Sequence, residues 1–234
     1  MSEKRDIATR MAGNQKQASI SEFFEKNKHF LGFDSLHRSL ITAVKEAVDN
    51  ALDACEEARI LPDIKIDIRK ADPKRDVIEL EVEDNGPGIP RDSIAKVFGQ
   101  LLFGSRFHAI RQSRGQQGIG ITGVVMYSQL TTGKPTHVRS KIASETTAVE
   151  MELGLDTKSN KAIKSKEQRV PWVLEDGTEK VSGLNVRCRM KAKFQRGKQS
   201  VWQYLRMTSI VNPHASITFV DPDGETTHWP RVTE

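Results

Sequence analysis

Thiols and imidazoles are scarce in this chain. Two cysteines, Cys55 and Cys188, stand far apart in 234 residues. That is too little for a disulfide framework or a thiolate metal site, and it points to a reducing, cytoplasmic compartment. The six histidines are scattered, with no spacing that suggests a metal site. No run approaches the roughly 20 apolar residues of a membrane span, and Met1 to Ala18 lacks the apolar stretch of a signal peptide. No internal repeat is present either. These absences set aside secreted disulfide scaffolds, membrane spans and repeat arrays.

What is present is an ordinary globular composition, 37% hydrophobic and 29% charged, in a chain long enough for one well-buried core or two small ones. A net charge of +5 mildly favours a polyanionic partner and names none.

Residues 1 to about 33 read as an arm, with Phe23, Phe24, Phe30 and Phe33 in a polar context. So aromatic a segment docks on its own domain or on a partner subunit. From Asp34, an expected N-cap, a helix should run to about Arg59 and stop before Pro62. Leu40, Val44, Val48, Ala51 and Cys55 recur at helical spacing, placing Glu46, Asn50 and Asp53 on the other side. Two alternating runs, Ile64 to Arg69 and Ile78 to Glu83, read as half-buried strands joined through Asp72–Asp76. A short helix with Ile94, Val97, Leu101 and Leu102 inward follows. Gly104 to Gln117 is aperiodic and basic, and reads as a lid. Beyond it the pattern gives a helix from Gly118 to about Thr131, strands at about 136–144 and 147–156, and a lysine-rich loop from Lys158 to Gln168. A strand at about 183–192, a helix from Lys198 to Ile210 and a strand at 215–220 complete the reading. The order indicates an α+β fold of two layers, a mixed and mostly antiparallel sheet with helices on one face.

Three segments carry chemistry. Glu46 and Asn50 lie one helical turn apart. A carboxylate there can activate water, and an amide oxygen suits Mg²⁺, which prefers oxygen ligands. The pair is common on solvated helix faces and gains weight only from its company. Asp84 ends a strand directly before Gly86 and Gly88, so its carboxylate can accept from an exocyclic amine while the glycines let a base approach the backbone. Alone, Asp-Asn-Gly is an ordinary turn. Arg114-Gly115-Gln116-Gln117-Gly118-Ile119-Gly120 precedes a helix, where N–H groups and the helix dipole can receive phosphate. It matches neither the P-loop nor the dinucleotide fingerprint. The ordered set points to an ATP site.

These segments resemble the N, G1 and G2 boxes of the GHKL ATPases, a group that includes gyrase B-type topoisomerases, heat-shock chaperones and histidine kinases. Phe103-Gly-Ser-Arg-Phe-His108, Ser113 to Gly120, Glu22 to Asn27, Leu31 to Asp34, Val44 to Ala54, Asp221 to Gly224 and Trp229 to Arg231 are more closely similar to the B subunits of DNA topoisomerase VI. The resemblance implies an ATP-driven, Mg²⁺-dependent clamp that passes one DNA duplex through another. The duplex is cut by a tyrosine on a separate A subunit, in a nucleoid-associated assembly of two A and two B subunits. The resemblance implies that Glu46 is the general base, Asn50 the Mg²⁺ ligand and Asp84 the adenine reader. Gly86 and Gly88 would flank the base, and Ser105, Arg106 and Gly115, Gln116, Gln117, Gly118, Ile119, Gly120, Ile121 and Thr122 would surround phosphates and ribose. It also implies that the arm (1–33) exchanges between two copies on ATP binding, and that 34–234 form the ATPase domain with its lid at 104–117.

Two departures stand out. The family's later strand usually reads Gly-Thr, the threonine supporting the aspartate through water; here it reads Gly183-Leu184-Asn185. The sequence also stops before the domain that lends a lysine to the γ-phosphate, so an isolated ATPase domain with slowed turnover is expected. A histidine kinase catalytic domain is one rival; it would normally follow a phosphoacceptor helix pair, which the sequence does not show. A non-hydrolytic, ATP-gated dimerisation module is another. Arg187, Arg189, Lys191 and Lys193 alternate on one strand, as a DNA contact or, more simply, as a solvated face.

Overall fold

The computed structural model describes residues 20–99, 120–156 and 161–233. The lid and residues 1–19 of the arm lie outside the described residues. Five α-helices and eight strands are described, with one 3-10 turn (Pro73–Arg75) between the first two strands: α1 (Ile20–Asn27), α2 (Leu36–Ala58), β1 (Asp63–Asp72), β2 (Val77–Asp84), α3 (Arg91–Gly99), α4 (Gly120–Thr132), β3 (Thr136–Lys141), β4 (Ala148–Asp156), β5 (Lys161–Val170), β6 (Gly183–Lys191), α5 (Val201–Val211), β7 (Ser216–Val220) and β8 (Thr226–Trp229). The strands form one sheet in the order β5-β4-β3-β6-β2-β1-β7-β8. Only β1 and β7 pair in parallel; every other neighbour is antiparallel. This is the two-layer, mostly antiparallel architecture expected.

The two-residue period of β1 and β2 turns Ile64, Ile66, Ile68, Ile78, Leu80 and Val82 to the core, none more than 5% exposed. The helices bury their apolar stripes in the same cluster, Leu40, Val44, Val48 and Leu52 of α2 among them. Helix α2 starts one residue later than expected: Ser35, not Asp34, caps it, its hydroxyl accepting from the Arg38 N–H at 3.3 Å. Asp34 instead accepts from the Arg38 guanidinium at 2.7 Å. The helix stops at Arg59, in the left-handed region at φ 55°, whose N–H donates to the Cys55 and Glu56 carbonyls.

Two stretches differ from the sequence reading. The expected loop at Lys158–Gln168 is largely strand β5, pairing antiparallel with β4. It is an edge strand, polar on both faces, so it shows no alternation; charged side chains suit such an edge. Strand β8 is four residues long, pairs with β7, and leaves no periodic signal.

The described part of the arm docks on its own domain. Phe24 and Phe33 are 2% and 5% exposed. Their rings lie 5.5 Å apart, and Phe33 stacks on Tyr127 of α4 at 4.8 Å. Phe30, in contrast, is 84% exposed. On the opposite face of the sheet, cations of β6 and of the residues just after it meet carboxylates of β2 and of the turn just before it. Arg189 donates to Glu79 at 2.7 Å, and Lys193 stands 3.5 Å from Asp76. Two of the four cations of the stripe are thus paired with carboxylates. Among the described residues no helix is long and apolar enough to cross a membrane.

Candidate active site

Helix α2 carries the first group of residues. Its polar side is not a solvated face: Glu46 and Asn50 are half-buried, and Asp49 and Asp53 are buried. Burial pushes the Glu46 carboxyl above the usual carboxylate range; Lys45 opposes this and Asp49 adds to it. Asp49 accepts from Lys45 at 2.8 Å and from the Tyr204 hydroxyl of α5 at 2.9 Å. Burial, with Asp49 beside it, raises the Tyr204 phenol, so it stays a donor. Asp49 and Tyr204 therefore fix the rotation of α2 relative to α5, and with it the direction of Glu46 and Asn50. Sequence reasoning gave neither residue a role. They are 155 positions apart, and no local spacing joins them.

Helix α4 delivers the second element. Gly120, its first residue, lies directly against Glu46, and a Cβ there would overlap the carboxylate. A side chain there would have to push the carboxylate aside. Thr122 is 2% exposed, and its hydroxyl donates to the Val97 carbonyl at 3.4 Å. What Thr122 offers at the helix start is its backbone N–H, while Ile121 packs against the core. Ser105, Arg106 and Gly115 to Ile119 lie outside the described residues.

Asp84, at the end of β2, is 6% exposed. Its Oδ1 accepts from the Gly86 N–H at 2.8 Å and the Leu184 N–H at 3.3 Å. Among the described residues no donor falls on Oδ2. Burial pushes the carboxyl up to about 6, against the pull of the Gly86 N–H, the Lys180 charge and the Leu184 N–H. Leu184 has no hydroxyl to stand in for the threonine expected beside this aspartate; what the position gives Asp84 is its backbone N–H. Gly88 adopts φ +71°, and a Cβ there would overlap the Lys141 carbonyl. Ser140 ties the loop down: the Ile89 N–H donates to its hydroxyl at 2.7 Å, and the hydroxyl donates to the Ile89 carbonyl at 2.9 Å. Asn85 accepts from the Asp63 N–H at 2.8 Å and donates to the Leu61 carbonyl at 3.0 Å, joining the end of β2 to the start of β1.

The arrangement brings a half-buried carboxylate against a helix N-terminus. It also holds a second, buried carboxylate at a loop whose glycine permits close approach. Among the described residues no three His, Cys, Asp or Glu are grouped so as to hold a metal.

A family model described as histidine kinase-, DNA gyrase B-, and HSP90-like ATPase matches residues 36–157. The chain is 55% identical over 227 residues to the B subunit of type 2 DNA topoisomerase 6 from Archaeoglobus fulgidus, covering 96% of this chain and 36% of the relative. To the protein of the same name from Methanosarcina barkeri it is 50% identical over 229 residues, covering 97% and 36%. It therefore spans little more than a third of the length of these relatives. In fold it is similar to the 43K ATPase domain of Thermus thermophilus gyrase B, with a TM-score of 0.51 at 16% identity, covering 88% of this chain and 50% of that one.

Proposed function

The chain belongs to the histidine kinase-, DNA gyrase B- and HSP90-like ATPases, and from that premise we propose that it is the ATP-binding and ATP-hydrolysing part of a topoisomerase 6 B subunit. In this role it is a clamp on double-stranded DNA that works with a cleaving A subunit in an assembly of two copies of each. The observation that carries the reading is the contact between Glu46 and the first residue of α4, where a Cβ would overlap the carboxylate.

Phosphate at that helix start would receive the N–H groups of Gly120, Ile121 and Thr122 together with the dipole. Glu46, beside it, would orient the attacking water and take its proton. Its raised carboxyl is a stronger base than a solvated one, closer to the pH at which it works. Asp84 would accept from the adenine amine through Oδ2, with Gly86 and Gly88 letting the ring approach. Ser105, Arg106 and the run Gly115 to Ile119 are assigned to phosphates and ribose on the resemblance alone, as is the lid at 104–117. Asn50 suits Mg²⁺: one neutral oxygen is what an ion held otherwise by phosphate and water needs from the protein. When bound, that ion supplies charge neutralisation at the phosphates. The arm (1–33) would exchange between two ATP-bound copies.

The test is ATP-dependent relaxation of supercoiled DNA. The protein, carrying the segment that continues its longer relatives, is mixed with a topoisomerase 6 A subunit. Wild type should relax the DNA only with ATP. Glu46→Gln should still bind ATP while hydrolysis falls by about 10²-fold or more. Relaxation without nucleotide, or unchanged turnover in the variant, would overturn the reading.

A further inference from the structure

Between β5 and β6 the chain makes a small hairpin on the face of the sheet that carries no helices. The Leu174 N–H donates to the Thr178 carbonyl and the Lys180 N–H to the Trp172 carbonyl, each at 2.8 Å. Asp176 holds the turn, accepting from the Thr178 N–H at 2.9 Å. Most of this hairpin is exposed, yet Trp172 and Lys180 are only 3% and 8% exposed. A buried lysine is costly unless it is paired. Lys180 is paired twice: its ammonium lies 4.6 Å from the centre of the Trp172 ring and donates to Glu83 at 2.6 Å. Glu83 is fixed in turn by the Asn185 amide at 3.0 Å. Arg139 covers the same indole, 5.4 Å from the ring centre. The Lys180 stem packs against Gly183, the residue before the Leu184 N–H that holds Asp84.

We propose that Lys180 is a positioning residue for base recognition: clamped between the Trp172 indole and Glu83, it holds the Asp84 carboxylate in its accepting form from behind the sheet. The inference rests on reading Asp84 as the base-reading group. Among the described residues, the titratable groups facing Asp84 come from three elements. Lys180 of the hairpin favours its charge, and Glu83 of β2 opposes it. Cys55 of α2 stays neutral, because burial pushes its thiol up to about 12. Among the described residues Lys180 is thus the cation that, after the Gly86 N–H, favours the ionised form of Asp84, and only the ionised carboxyl is a pure acceptor for an amine.

The experiment measures the ratio of ATP to GTP affinity from pH 5.5 to 8.5. Titration of the phosphates is common to both nucleotides and cancels. In wild type the preference for ATP should fall as pH drops through about 6, where Asp84 takes up its proton. Lys180→Met should move that midpoint upward by about one pH unit, the usual size of a lost neighbouring charge. The preference then drops about fivefold near pH 6 and returns to the wild-type value by pH 8.5. Lys180→Arg should restore it. A packing defect would instead lower the preference equally at every pH, and that result overturns the proposal. Should Lys180→Met fail to melt cooperatively, Trp172→Phe is read in its place, with a smaller change in the same direction.

Asp84→Asn separates the two readings. A wild type without preference for ATP, or an Asp84→Asn variant that keeps it, removes the base reading and this inference with it. If Asp84→Asn abolishes the preference while the folded Lys180 or Trp172 variant follows wild type throughout, this inference alone fails.

Discussion

Asp84 works against the fold that holds it. Its carboxyl lies at about 6, above the ordinary value of 3.8, chiefly because it is buried. A carboxyl raised in the folded state contributes stability only below its unfolded value, and that contribution is lost as pH rises through the folded value. At neutral pH the ionised group is therefore a net cost, on the order of 2–3 kcal/mol by linkage. Asp84→Asn removes the charge and keeps an oxygen to accept the Gly86 and Leu184 N–H groups. We expect this variant to resist urea better than wild type at pH 7.5 while its ATP affinity collapses. The two should unfold with equal ease near pH 4, where Asp84 is neutral. A variant that unfolds more readily at pH 7.5 would show that the carboxylate is structural. At this scale the site was partly legible. Glu46, Asn50 and Asp84 are side-chain signals at local spacings. The Leu184 N–H is not, because every residue but proline carries that donor and only the register of β2 against β6 aims it.

At the scale of elements, α1 is held by few but large contacts. Phe24 is 2% exposed and lies 5.5 Å from Phe33 and 6.4 Å from Tyr127. Phe24→Ala should destabilise the domain by about 3–5 kcal/mol, the usual range for a buried phenylalanine, as read from urea unfolding. A loss below about 1 kcal/mol would mean that α1 leaves the domain readily. Removing residues 1–30 would thus damage the domain as well as the arm, so a clean truncation stops before Ile20. Strands β1 and β2 were legible because one face is buried and alternation follows. Strand β5 was not, since a charged edge strand needs no apolar face. The hairpin holding Trp172 and Lys180 was hidden for a further reason: its two buried side chains are anchored by β2 and β3, far away in sequence.

For the whole molecule, nucleotide and a second copy should be linked. If the dimer holds ATP better than the monomer, ATP must favour the dimer by the same factor. We expect a monomer without nucleotide and a dimer with a non-hydrolysable ATP analogue, as measured by sedimentation. Deleting residues 1–19 should abolish the dimer and leave ATP binding in place. A protein that stays monomeric at saturating analogue would sink the clamp for this chain. The charged sheet face contributes little to such a clamp. Cations such as Arg189 and Lys193 already have carboxylate neighbours, and exposed pairs of this kind are worth about 0–1 kcal/mol.

The strand order also sets a timetable for synthesis. Strand β6 lies between β3 and β2, so the hairpin of β1 and β2 and the pair of β3 and β4 stay separate pieces until residues 183–191 have left the ribosome. Such late, long-range pairing slows closure of a sheet. Until β6 arrives, Asp84 lacks its Leu184 donor and Lys180 has no seat against Gly183. A nascent chain therefore completes its nucleotide corner only near the end of the domain, and cannot draw stability from ATP before then.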